Sequence, residues 1–184
     1  SSIRELAMSD TEVSPGVAAT AAWVEEFVVG LNVCPFAGRE VTRGSIRYIE
    51  VDGRRLEDAL VALMEACHHL ETTPEVETSL LVFTRGLADF DDYLDALAMA
   101  EGVFQLASFH PDYVFDGVED DDPANFTNRS PWPVWHLLRE EGLERALAHY
   151  PDPEAIPERN IERLREIGSD SLAEQLAELK ARFR

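Results

Sequence analysis

VFQLASFHPDY, residues 103–113, is the stretch that decides the predicted fold. Its first seven residues are mostly apolar, with Gly102 before them and Pro111 soon after, which predicts a strand covered on both faces. Earlier apolar runs at residues 45–51 and 79–83 are each followed by a helical pattern, at 54–70 and 90–100. This alternation predicts an α/β (or α+β) fold with a small, mostly parallel, three- to four-stranded sheet flanked by helices. A ferredoxin-like sheet is the alternative, if residues 41–51 hide two strands.

The segments around this alternation are predicted to be helical. Residues 15–30 have helical apolar spacing and end at Gly30, a natural C-cap. On the other side, Ser130 is a suitable N-cap and Pro131 a suitable first residue for a helix that reaches Tyr150, just before Pro151. Residues 156–168 and 170–182 form two more predicted helices, the second suited to packing or to dimerisation. This gives the α/β core a helical C-terminal extension.

The chain divides unevenly. Residues 1–14 are polar and rich in small side chains, and they are expected to be a flexible leader. Residues 15–184 fit one α/β domain, because this length supplies a sizeable core. Within it, 168–184 is the predicted terminal packing helix.

Composition limits the partners. The chain has 36 acidic and 16 basic residues, for a formal charge of -20. Such a field repels nucleic acid and anionic membranes, so we expect neither as a partner. The two cysteines, Cys34 and Cys67, lie in dissimilar settings, and neither a signal peptide nor a membrane helix is visible. A cytoplasmic protein of small-molecule metabolism, with a possible homodimer, is the expectation.

Three side chains suggest a reactive centre. His110 follows the 103–109 strand at the carboxyl edge where open α/β folds bind ligands. Cys34 lies just beyond the first helix, and His136 lies on the predicted 131–150 helix. One thiolate and two imidazoles are the ligands of an open catalytic metal site, so we predict a transition metal, copper or iron, with zinc as the alternative. Tyr113 is the candidate proton donor.

Polar residues near His136 indicate the substrate. Asn128 and Arg129 lie beside the predicted helix start, and Trp132, His136 and Arg139 share one helical face. The guanidinium groups of Arg129 and Arg139 suit bidentate binding of a carboxylate. The first hypothesis is therefore a metal-dependent oxidoreductase that acts on a small, carboxylate-bearing or otherwise anionic substrate.

Two alternatives remain open. Cys34 could be the nucleophile of a metal-free transferase or hydrolase, with His110 or His136 as its base, although a helix C-terminus raises a thiol pKa. The chain could also be a non-enzymatic ligand-binding or assembly module. For each polar residue taken alone, a structural role is also open: His110 as a turn residue that bonds to backbone, His136 as an interior imidazole, and Arg129 as a partner of the acidic loop at 116–123.

Five short motifs occur in a fixed order: LNVCPFA from residue 31, FHPDY from 109, TNRSP from 127, HLLRE from 136 and ERNI from 158. Together they resemble an uncharacterised bacterial and plastid family, catalogued as domain of unknown function fourteen-fifteen. The resemblance spans about residues 23–168, and it implies that the motifs belong to one fold and converge. The chain departs from the family pattern at Gly142, where a small hydroxyl residue is expected, and at the pair Trp132 and Trp135.

Overall fold

The sheet at the centre of the protein has four strands. The computed structural model describes residues 13–101 and 105–184, so the expected leader up to residue 12 and the first two residues of the predicted third strand, Val103 and Phe104, lie outside the described residues. The strands are β1 (Ile46–Val51), β2 (Thr78–Phe83), β3 (Leu106–Phe109) and β4 (Val134–Leu138). They lie in the order β1-β2-β4-β3.

The sheet is mixed, so the expectation of a mostly parallel sheet was wrong. β1 and β2 are parallel, whereas β4 is antiparallel to both of its neighbours, β2 and β3. The three strands that the sequence predicted therefore run in one direction, and β4 separates the second from the third. Residues 41–51, in which a ferredoxin-like sheet needed two strands, hold the end of a helix, Ala37–Arg43, and the single strand β1.

The predicted helix at residues 131–150 was also wrong. Residues 134–138 form strand β4, and a helix follows only at Glu140–Ala148. Val134, Trp135 and Leu137 are buried between the neighbouring strands and their covering helices. As a strand, this five-residue apolar run forms backbone hydrogen bonds with a neighbour on each side, and its apolar side chains are buried in the sheet. This arrangement is more stable than a helical one for these residues.

Helices cover both faces of the sheet. They are α1 (Pro15–Trp23), α2 (Ala37–Arg43), α3 (Leu56–Thr72), α4 (Phe90–Glu101), α5 (Glu140–Ala148), α6 (Ile156–Ile167) and α7 (Ser169–Arg182). A π-helical segment, Val24–Val29, continues α1, and two short 3-10 helices span Pro123–Thr127 and Pro153–Ala155. Ser14 caps α1 by accepting the Val17 N–H at 3.2 Å, with Pro15 in the first turn. The predicted helices at 15–30, 54–70, 90–100, 156–168 and 170–182 are confirmed, with small shifts of their ends.

Two apolar clusters hold the layers together. One lies between the sheet and α3 and α4, and it includes Leu63, Leu81 and Trp135. The other lies between the opposite face and α1, α6 and α7, and it includes Trp23 and Leu172. Because α7 buries its leucines against its own chain, it is a packing helix. Among the described residues, no helix has the length and apolar character needed to cross a membrane.

Candidate functional site

A cavity of about 290 Å³ lies on the α1 side of the sheet. Its lining comes from α1 and the π-helical segment, the loop before α2, α2 itself, all four strands and α5. The residues are Trp23, Val24, Val28, Cys34, Phe36, Ala37, Glu40, Ile46, Glu77, Thr78, Leu80, Ala107, Phe109, His136, Leu138, Arg139, Gly142 and Ala146. Mostly apolar walls with a few polar groups are typical of small-molecule sites. π-helical turns are also frequent at functional sites.

Cys34 lies in a loop that the rest of the fold holds in place. Asn32, two residues earlier, adopts a left-handed backbone conformation with φ of 53°. The buried Asn160 of α6 donates from Nδ2 to the Val33 carbonyl at 2.7 Å. The hydrogen bond ties the loop of the LNVCPF motif to the ERNI motif of α6. The backbone that carries the Cys34 thiol is therefore held in place at the cavity.

The thiol of Cys34 is neutral at rest. Burial raises its pKa, and this effect exceeds the opposite effect of the backbone N–H groups of Phe36 and Ala37, which lower it. The direction agrees with the expectation from the preceding helix end, but the main cause is burial. A nucleophilic role therefore requires a base that takes the thiol proton during the reaction.

His136 provides a base with a defined tautomer. The Thr78 hydroxyl donates its one proton to the Leu137 carbonyl at 2.7 Å, so it accepts at 2.6 Å from Nε2–H of His136. Nδ1 is then unprotonated, and it makes no hydrogen bond to any described residue. Burial lowers the pKa of His136 to about 4, so the ring is neutral near pH 7. In strand β4 the side chain shares the cavity face with Leu138.

His110 lies on the other side of the sheet. Its ring packs against Phe90 and Tyr93 of α4, with ring centroids 5.1 and 4.9 Å away. Nε2 donates to the Leu87 carbonyl at 2.9 Å, and Nδ1 accepts the Asp112 N–H at 3.0 Å. The ring is fully buried. Its Nε2 joins the end of β3 to the loop before α4, and its Nδ1 closes the turn at residues 110–112.

The three expected metal ligands are thus not brought together. Cys34 and His136 line one cavity, whereas His110 is absent from its lining and has no free nitrogen. Across the described ranges, no group of three or more His, Cys, Asp or Glu side chains has a metal-binding arrangement. The donor set therefore does not fit a Cys-His-His centre in this fold.

The side chains expected to bind an anion donate hydrogen bonds to backbone carbonyls instead. Asn128 donates from Nδ2 to the Ser108 carbonyl at 2.8 Å. Arg129 donates to the carbonyls of Tyr113 and Asp120, both at 2.9 Å, which fastens the acidic loop. Neither Asn128 nor Arg129 lines the cavity. Donor atoms that already have carbonyl partners are not available to a ligand without losing those bonds.

Arg139 is the one expected binding arginine that lines the cavity, and one nitrogen of its guanidinium is bound to backbone. Nη2 donates to the carbonyls of Leu70 and Val76, both at 2.7 Å, and so ties the end of α3 to the segment before β2.

The two expected aromatic site residues lie outside the cavity lining. Tyr113 packs against Phe90 and Phe115, with centroids 5.3 and 5.0 Å away. Trp132 lies beneath the Lys180 ammonium, which is 4.3 Å from the ring centroid. Their contacts stabilise the loops around the sheet.

Three polar residues of the cavity were not predicted: Glu40, Glu77 and Thr78. Thr78 is the first residue of β2, and Ile46, the first residue of β1, lines the same cavity. The site therefore includes the amino ends of the two parallel strands, whereas the sequence argument placed ligands at the carboxyl edge. The sequence feature that could have indicated these residues is Glu77-Thr78, a polar pair directly before an apolar run.

A second, more open depression of about 410 Å³ lies beside the same loop. Asn32 and Pro35 contribute to it, together with α6 residues of both charges such as Arg159 and Glu162. Cys34 and His136 do not line it. The apolar cavity, which contains both reactive side chains, is therefore the candidate active site.

Comparisons with known proteins give a family but no activity. A family model described as "Protein of unknown function (DUF1415)" matches residues 16–174. No curated protein matches the chain. No solved structure matches it either.

Proposed function

Since the chain belongs to the DUF1415 family of proteins of unknown function, we propose from the geometry of its cavity that it is a metal-independent, cysteine-dependent transferase or hydrolase of small molecules. The observation that carries the proposal is one cavity lined by a thiol, Cys34, and by a neutral imidazole, His136, whose Nδ1 is an unused acceptor. These are the nucleophile and the general base of cysteine chemistry.

The reaction requires activation at the moment of attack. As the Cys34 sulfur forms a bond to an electrophilic acyl carbon, its proton moves to Nδ1 of His136. His136 returns that proton to the leaving group as the bond between the acyl carbon and the leaving group breaks. Water or an acceptor molecule then cleaves the thioester, losing its own proton to His136, and restores the thiol. Both resting groups are neutral, because burial raises the Cys34 pKa and lowers the His136 pKa.

Thr78 has a positioning role in this scheme. Its hydroxyl holds Nε2–H of His136 and so leaves Nδ1 free as the base. A hydrogen bond to one ring nitrogen that fixes the tautomer and the orientation is a common feature of histidine bases.

The test uses a small apolar acyl ester, p-nitrophenyl butyrate, with protein purified without a His tag. We expect a transient acyl adduct on Cys34, detected by mass spectrometry after acid quench, and loss of this adduct in Cys34→Ser. His136→Gln should slow acylation by about 10²-fold or more, since a general base contributes about 10²–10⁴-fold.

Cys67→Ser is the matched control. Cys67 is also partly buried and also has a pKa raised by burial, but it lies on α3, on the other face of the sheet. The variant should be acylated at the wild-type rate. Equal labelling of both cysteines in the wild type, or no effect of His136→Gln, would contradict the proposal.

Metal-dependent oxidation remains a prediction that the same preparation tests. Elemental analysis should find far less than one copper, iron or zinc ion per chain, and chelators should leave acylation unchanged. Stoichiometric metal that is lost in both Cys34→Ser and His136→Ala would favour the oxidoreductase instead.

Reversible ligand binding is the second candidate, because a thiol whose pKa is raised is a poor resting nucleophile. It predicts that apolar ligands bind the cavity equally well in wild type and in Cys34→Ser, and that no acyl adduct forms on Cys34.

A further inference from the structure

Glu77 is a carboxylate of the cavity that has no partner among the described residues. Its side chain is half-buried, lines the cavity, and makes neither an ion pair nor a side-chain hydrogen bond with any described residue. One carboxylate oxygen lies directly against Gly142 of α5, so that even a methyl group at position 142 would overlap with it. The absence of a side chain at Gly142 therefore makes room for this carboxylate.

The other carboxylate of the cavity is paired, and one guanidinium nitrogen of the cavity's arginine binds backbone. Glu40 accepts a hydrogen bond from the Ser45 hydroxyl, and Arg43 lies 3.8 Å from its other carboxylate oxygen. Arg139 donates to the two backbone carbonyls at the end of α3 and before β2. Glu77 is therefore the cavity carboxylate that a cation can pair with at the lower cost, because no existing bond of Glu77 has to break.

The remaining lining suits the same kind of ligand. Trp23, Phe36 and Phe109 contribute aromatic rings, whose faces attract cations. His136 contributes an acceptor through Nδ1, which suits a ligand that carries N–H or O–H donors. The formal charge of -20 also favours the approach of a cation over that of an anion.

We propose that the cavity selects a small organic amine: a protonated amino group that pairs with Glu77, attached to a short apolar body that packs against the aromatic rings. The proposal rests on the cavity assigned under the proposed function and deepens it by naming the substrate class. A volume of about 290 Å³ lies at the small end for ligand sites, which limits the body to about one ring. This proposal replaces the carboxylate-bearing substrate that the sequence predicted with a substrate that carries a positive charge.

Three probes of similar shape test the charge preference: 2-phenylethylamine, the neutral 2-phenylethanol and the anionic phenylacetate. Binding is measured by titration calorimetry at pH 7 with wild type and with Cys34→Ser. We expect the amine to bind about 10-fold or more tightly than the alcohol, as for a hydrogen bond to a charged group, and the anion to bind least. Cys34→Ser should show the same order, because the preference does not depend on the thiol.

Substitutions assign the preference to one carboxylate. Glu77→Gln should reduce the preference for amine over alcohol to less than about 2-fold, while alcohol binding stays close to wild type. Glu40→Gln is the matched control, since it removes a second cavity carboxylate that is already paired, and it should keep the preference. Gly142→Ala should weaken amine binding by displacing the Glu77 side chain, and it should have no such effect in the Glu77→Gln background.

Equal binding of the three probes, or a preference that survives Glu77→Gln, would overturn the amine proposal. If only the cysteine chemistry of the proposed function is wrong, the result differs from this. Amine binding and its dependence on Glu77 would then persist, while no acyl adduct would form on Cys34. Circular dichroism and the midpoint of thermal unfolding show whether each variant is folded.

Discussion

His110 and His136 show how neighbours decide what one residue type does. In His110, a carbonyl and a backbone N–H use both ring nitrogens, so the ring is structural. In His136, the Thr78 hydroxyl uses one nitrogen and leaves the other open to the cavity. The sequence singled out both histidines but could not separate these roles, because Leu87 and Thr78 are 23 and 58 residues away from the rings that they bind.

The depressed pKa of His136 predicts an acid-sensitive contribution to stability. The ordinary pKa of 6.5 falls to about 4 in the folded protein because burial disfavours the charged ring. Between these values the unfolded chain binds the proton and the folded chain does not. The contribution is therefore fully present above pH 6.5 and is lost as pH falls towards 4. The full loss should be about 3 kcal/mol, from 1.36 kcal/mol for each pKa unit.

Urea unfolding of wild type and His136→Gln between pH 7 and pH 4.5 measures this effect. The free energy of unfolding of wild type should fall more steeply with acid than that of the variant. The carboxylates Glu40 and Glu77 and the other buried histidine, His110, are present in both proteins, so their effects cancel in the difference. Parallel pH curves would show that the His136 pKa is not lowered.

Strand β4 is the element that sequence patterns could not identify. Its apolar run of five residues is short enough to fit a strand or a helix turn, and two prolines just before it are equally suited to a first helical turn. The long amphipathic helices and the strands β1 and β2 were predictable because their patterns extend over enough residues. The antiparallel pairing of β4 depends on partners that come from two distant strands, and no local pattern records it.

The π-helical segment next to Cys34 predicts unequal effects of alanine at two glycines. Gly30 follows this segment with an ordinary right-handed φ of -58°, but a side chain there would overlap with the Glu26 carbonyl oxygen. Gly38 lies in α2, where a methyl group would meet only Val29 at 3.5 Å. The overlapping atom at Gly30 belongs to the backbone, which cannot move aside as a flexible side chain can. Gly30→Ala should therefore lower the free energy of unfolding by about 1–3 kcal/mol.

Gly38→Ala should instead be neutral or stabilising by about 0.5 kcal/mol, because alanine is the better helix former. Urea unfolding of both variants beside wild type makes the comparison. Iodoacetamide labelling of Cys34 reports on the loop that follows the π-helical segment, and it should change in Gly30→Ala alone. Equal stability of the two variants would mean that the segment can relax without cost.

At the scale of the whole molecule, excess negative charge opposes a fold whose ion pairs are few and exposed. The described residues form five ion pairs, among them those of Arg182 with Glu26 and Glu178, each at 2.6 Å. Exposed pairs of this kind contribute little to stability. The 20 uncompensated negative charges repel one another across the compact surface, and the unfolded chain relieves this repulsion by expansion.

Screening should therefore stabilise the protein. Raising sodium chloride from about 10 mM to about 150 mM shortens the Debye length from about 30 Å to about 8 Å, which weakens repulsion between distant carboxylates more than attraction within close pairs. The midpoint of thermal unfolding at pH 7 should rise by about 2–4 °C for each kcal/mol gained. Potassium chloride should act equally, and an equal osmolarity of glucose should not reproduce the rise. A fall in the midpoint with salt would mean that the exposed pairs of Arg182 outweigh the repulsion, and the acidic surface would then have no energetic cost for folding.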